Sequence, residues 1–107
     1  MMKNSRENLN VYADLGLADA GEMLIKAQLV SAIAAIIKRR RMTLDKASTL
    51  LGIAQAELTD ILRGNFRNTS GTTMLQCLTL LGHDVQIVII KTVSGSRKIG
   101  HMSVLSA

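Results

Sequence analysis

The chain has 107 residues and a net charge of +5, with 48% hydrophobic residues, 2% aromatic ones and no proline. That length allows one domain with a modest core of Leu, Ile, Val, Ala and Met, whose helix ends must be set by glycine and capping side chains. A single cysteine, Cys77, excludes an internal disulfide and fits a reducing cytoplasm. The longest nearly apolar run, Ala27 to Ile37, is too short to span a bilayer, and no secretion signal is visible at the start, so a soluble cytoplasmic protein without a membrane partner is expected.

Met1 to Asn8 is polar and reads as a loose end, and Leu9, Val11, Tyr12, Leu15 and Leu17 form a short apolar cluster expected to make a helical turn docked on the body. Asp19 is placed to cap the next helix, with Glu22 as its capping-box partner. That helix runs to Arg40. Ile25, Leu29, Ile33 and Ile36 trace one apolar stripe, and Met23, Val30 and Ile37 an adjoining one, so it should be the scaffold of the core. Lys38 to Arg41 closes it, where cations suit the negative end of the helix dipole and also offer a phosphate-binding patch.

Thr43 is an N-cap for a short helix ending at Leu51. Within it, small Ala47 and Ser48 sit where a second backbone must approach closely. Gly52 follows, where a tight turn wants a positive φ. Ile53 or Ala54 opens another helix, to Arg63, with Leu58 and Ile61 as its apolar face and Gly64 as its stop. A polar loop carries Asn65, Arg67 and Asn68. Thr72 or Thr73 then caps a last helix through Leu81, in which Cys77 is buried filler, and Gly82 ends it.

After Gly82 the period changes to alternation with β-branched residues, which predicts a strand over Asp84 to Thr92 carrying Val85, Ile87, Val88, Ile89 and Ile90. A lone strand leaves its backbone unpaired, so its partner is either Ile99 to Leu105 or the same strand of a second chain, and the dimer is favoured. The chain thus divides into an N-terminal segment (1–18), a helical domain (19–82), a terminal strand (83–92) and a tail (93–107), and the fold class is mainly α.

Two short helices joined by a glycine turn make a helix-turn-helix unit, whose second helix can enter a DNA major groove. On that helix Gln55, Ala56, Thr59, Asp60 and Arg63 are left on the outer side. Gln55 can pair with adenine, Thr59 can meet thymine, Arg63 can reach guanine or phosphate, and Asp60 can accept from cytosine. Arg41, Thr43, Lys46, Asn65, Arg67 and Asn68 are candidates for positioning on the DNA backbone. The charge is unevenly spread. Residues 23–41 carry +5, whereas residues 42–64, the reading unit itself, carry −1. His83 and His101 have no paired carboxylate, nucleophile or ligand spacing nearby, so neither catalysis, a metal nor a cofactor is expected.

Several stretches carry a family resemblance: Asn10-Val-Tyr-Ala-Asp-Leu-Gly-Leu, Asp19-Ala-Gly-Glu-Met-Leu-Ile-Lys-Ala, Leu50-Leu-Gly-Ile-Ala-Gln, Leu62-Arg-Gly-Asn-Phe-Arg and Leu81-Gly-His-Asp-Val-Gln-Ile-Val-Ile. Together they resemble the Xre-type, lambda-repressor/Cro-like helix-turn-helix proteins, and more narrowly the small Xre-type antitoxins of type II toxin–antitoxin modules. The resemblance implies a lambda-repressor-like five-helix bundle with a C-terminal β-strand used in dimerisation. It also implies a homodimer on a palindromic operator in double-stranded DNA, repression of its own operon, nucleoid association and a RelE-like ribonuclease toxin as protein partner. Gln55 matches the family's groove-facing glutamine, and Arg63 and Arg67 its basic positions. Leu44 stands where glutamine is usual and Glu57 where a cation is common, departures that bear on affinity rather than fold. An interaction module that neutralises a toxin, with DNA binding secondary or lost, is the alternative reading.

Overall fold

The computed structural model describes residues 18–91 and 100–106. Four helices follow one another in the described chain: α1 (Ala18–Arg39), α2 (Leu44–Leu51), α3 (Gln55–Leu62) and α4 (Gly71–Leu80). As the two stripes predict, α1 is the scaffold, packing along α4 and touching α3. Leu29, Val30, Ile33, Ile36 and Ile37 of α1 are buried with Leu58 and Ile61 of α3 and Met74, Cys77 and Leu78 of α4, while Met23 and Ile25 pack at the margin. Full burial of side chains such as Ile33, Leu58 and Met74 contributes about 1.5–3 kcal/mol each.

All four helices end on the same hydrogen-bond pattern, a Schellman motif. For α2, Ile53 N–H donates to the Ser48 carbonyl at 3.2 Å and Gly52, at φ 70°, to that of Thr49 at 3.3 Å. The ends of α3 and α4 repeat it with Gly64 and Gly82. The end of α1 repeats it without a glycine. Met42 N–H donates to the Ile37 carbonyl at 3.1 Å and Arg41 N–H to that of Lys38 at 3.0 Å, and Arg41 holds φ at 54°. It is the only non-glycine with positive φ among the described residues.

Two helix starts differ from the sequence expectation. Asp19 lies inside α1, which already includes Ala18, rather than ahead of it. The last helix is capped by Ser70, whose Oγ accepts from Thr73 N–H at 3.0 Å, so Thr72 and Thr73 fall in its first turn. Thr43 does cap α2, its Oγ1 accepting from Lys46 N–H at 3.1 Å.

The five-helix bundle with a terminal strand is corrected. The described residues contain four helices and no strand. The apolar cluster from Leu9 to Leu17 lies outside the described residues. Val85, Ile87, Val88, Ile89 and Ile90 run as irregular chain, the last four 70–93% exposed. Alternating β-branched residues report suitability for a pleated, half-buried surface, but a strand exists only where a neighbour completes its ladder. The described part of the tail, residues 100–106, is irregular too and supplies none.

Candidate nucleic-acid interface

Helix α3 is held from beneath. Leu58 and Ile61 are almost wholly buried, and Leu62 packs at the edge of the same core. On its other side α3 lies against α2, where Ala47 is fully buried and Ser48 nearly so, with Ser48 Oγ donating back to the Asp45 carbonyl at 3.1 Å. Larger side chains at 47 and 48 would push the two backbones apart. The two short helices therefore form one wedge, and the polar side of α3 is left uncovered.

That side carries Gln55, Ala56, Glu57, Asp60 and Arg63, all exposed, with Thr59 half-buried beside them. The N-cap of α3 is Ala54, which provides no side-chain bond to the first turn. Gln55 is not free-standing. Its Nε2 donates to Asp45 Oδ1 at 2.9 Å, linking the first residue of α3 to the first turn of α2.

Around this wedge the candidate backbone-positioning residues are also at the surface. Arg41, Thr43 and Lys46 are exposed before and within the first turn of α2. The Thr43 hydroxyl accepts one backbone hydrogen and keeps its own proton to donate. Asn65, Arg67 and Asn68 lie exposed on the loop after α3, which is pinned in three ways. Phe66 and Thr69 are buried, Asn65 N–H donates to the Asp60 carbonyl at 2.8 Å, and Lys26 Nζ of α1 donates to the Arg67 carbonyl at 2.9 Å.

Lys26 and Arg40 both make structural bonds, but only Lys26 withdraws its charge from the surface. Lys26 is only 6% exposed and also pairs with Glu22 at 3.4 Å, so it braces the loop rather than adding to a surface field. Arg40 Nη1 donates to the Leu81 carbonyl at 3.0 Å, where it ties the end of α1 to the end of α4. Lys38, Arg39, Arg40 and Arg41 are all exposed at the end of α1, so Arg40 keeps its charge at the surface while it makes that bond. Asp45, Glu57 and Asp60 stay exposed on the wedge, so its acidic balance is a surface property.

Sequence spacing did not single out Asp45, Phe66 or the structural duties of Lys26 and Arg40. For Lys26 a signal existed: it stands three residues before Leu29 and seven before Ile33, on the buried stripe. Cys77 is buried beneath the wedge, and its thiol is pushed up from 9.0 by desolvation first and by the Glu57 carboxylate second. Among the described residues no group of His, Cys, Asp and Glu could hold a metal ion, and no helix is long and apolar enough to cross a membrane.

Residues 11–90 match a family model described as a helix-turn-helix domain. A solved structure described as an XRE family transcriptional regulator is 32% identical, covers 83% of this chain and 99% of its own, and superposes with a TM-score of 0.77. No curated protein matches.

Proposed function

The chain belongs to the helix-turn-helix domain family and is an XRE-type, DNA-binding transcriptional regulator, and on that premise we propose that it is a sequence-specific repressor of its own operon. The carrying observation is the uncovered polar side of α3, set above Leu58 and Ile61 and locked to α2 through Ala47 and Ser48. In this reading Gln55, Ala56, Thr59, Asp60 and Arg63 face base edges, and Arg41, Thr43, Lys46, Asn65, Arg67 and Asn68 hold the phosphates. Phosphate neutralisation makes the affinity fall steeply with salt. A mobility-shift assay on the DNA upstream of its own gene tests this. A shift that weakens between 50 and 200 mM salt supports it, and no shift at low salt removes it.

The regulator acts as a homodimer, since a two-fold reader of a palindrome requires two such wedges one helical turn apart. The surface that supports this is apolar and exposed: Ile87, Val88, Ile89 and Ile90 with Met102 and Leu105. An uncovered patch of that kind marks an association site rather than an ordinary monomer surface. Sedimentation of the wild type and of Ile87→Asp with Ile89→Asp tests it. A dimer lost in the variant is the expected outcome.

A second reading is favoured by the exposed acids Asp45, Glu57 and Asp60: an antitoxin whose main work is to neutralise a basic ribonuclease of the RelE type. Co-expression with a short basic reading frame next to its gene distinguishes the two. A stable complex and restored growth support the antitoxin role, and neither effect ends it.

A further inference from the structure

We propose that Asp45 is a positioning residue that fixes the orientation of the Gln55 amide and thereby selects adenine against guanine; this rests on the DNA-reading role given to Gln55 above. The observation is the 2.9 Å bond from Gln55 Nε2 to Asp45 Oδ1, between two exposed residues on different helices.

A carboxylate can only accept, so the amide has one permitted flip. Turned the other way, Gln55 would set its own carbonyl oxygen against Asp45 Oδ1, two acceptors in contact. With Nε2 held by Asp45, Oε1 is aimed away, and one hydrogen remains on Nε2. One acceptor and one donor are what an adenine edge asks for, at its N6 and N7. A guanine edge offers two acceptors, N7 and O6, and asks for two donors. The second donor of Gln55 is already committed to Asp45. Guanine could be met only by breaking that bond, and its O6 would then face the carboxylate's charge. Asp45 needs no contact with DNA to do this. It also removes the rotational freedom that Gln55, on an uncapped helix start, would otherwise lose on binding.

The test uses the full chain, wild type, Asp45→Asn and Gln55→Ala, with duplexes of the DNA upstream of its own gene in which each A·T pair is replaced in turn by G·C. For the wild type, one position per half-site is expected to lose roughly ten- to hundredfold in affinity on replacement. Gln55→Ala should abolish that preference. Asparagine can donate as well as accept, so Asp45→Asn should cut the preference to a few-fold. It should also raise affinity for all duplexes, because one negative charge leaves the neighbourhood of the phosphates. Its melting temperature should fall by only about a few degrees, through the loss of a favourable charge at the start of α2. A merely structural role would weaken every duplex alike and leave the ratio intact. The inference is overturned if Asp45→Asn keeps the full adenine preference while Gln55→Ala loses it, with the repressor reading left standing. If Gln55→Ala also keeps it, the base-reading role of Gln55 fails together with the inference. Absence of binding to any duplex refutes both.

Discussion

Arg41 sits where the other three helices place glycine, and Arg41→Gly should make the protein more stable and a poorer DNA binder at once. At φ 54° a side chain with a Cβ meets the following carbonyl, at about 1–2 kcal/mol relative to right-handed backbone. Glycine returns roughly 0.4–1 kcal/mol of that through the freedom it adds to the unfolded chain. The net gain is about 0.5–1 kcal/mol, which for a domain of this size raises the melting temperature by roughly 2–8 °C. Melting should be followed by helical circular dichroism at high salt, where the attraction between the lost cation and the end of α1 is screened. Anisotropy titrations on the upstream duplex should show affinity falling for all sequences alike, and the plot of log affinity against log salt flattening by about 1.8, roughly 0.9 for the Arg41 of each protomer. An Arg41→Gly protein that melts lower refutes the strain argument. One that melts higher but keeps the same salt slope shows that Arg41 neutralises no phosphate.

Ala54→Ser should add the missing cap to α3 and stabilise the fold by about 1 kcal/mol, seen as a higher urea midpoint with an unchanged slope. Lys26→Met removes the donor to the Arg67 carbonyl and should lower stability by roughly 1–2 kcal/mol, with faster amide hydrogen exchange at 65–69 than in α4. Exchange that stays slow there would show that Phe66 and Thr69 suffice to hold the loop. The raised Cys77 thiol keeps its proton in the folded state while the unfolded thiol ionises, so this group leaves stability untouched below pH 9.0 and reduces it as pH rises above that value. At neutral pH Cys77 should resist iodoacetamide until the protein unfolds, and rapid labelling of the native protein would contradict its burial.

The helix-turn-helix unit was legible because its determinants are local. Thr43 bonds three residues ahead, Gly52 acts on its own turn, and Ala47, Leu58 and Ile61 follow helical spacing. The start of α4 was harder to place because Ser70, Thr72 and Thr73 all carry hydroxyls suited to a cap, and only the burial of Met74, Cys77 and Leu78 decides the register. Lys26 and Arg40 form bonds to carbonyls 41 residues away, a relation that no local spacing encodes. The terminal strand failed for the same reason in reverse. The pattern from Val85 to Ile90 is strongly β-like, but a strand needs a neighbour's backbone to complete its ladder, and no such ladder forms among the described residues. At the site, the exposed side of α3 was predicted from its apolar side. The restraint on Gln55 was not, because Asp45 reads in sequence as a helix-start acid favoured by the dipole.

The regulator's proposed function depends first on whether the wedge is the surface that meets DNA. Backbone amide shifts should be followed by NMR while the duplex from upstream of its own gene is titrated in at low salt. Changes concentrated at 41–46, 55–63 and 65–68, with α4 little affected, are the expected result. Changes centred on α4 or on 85–90, with α3 silent, would contradict it.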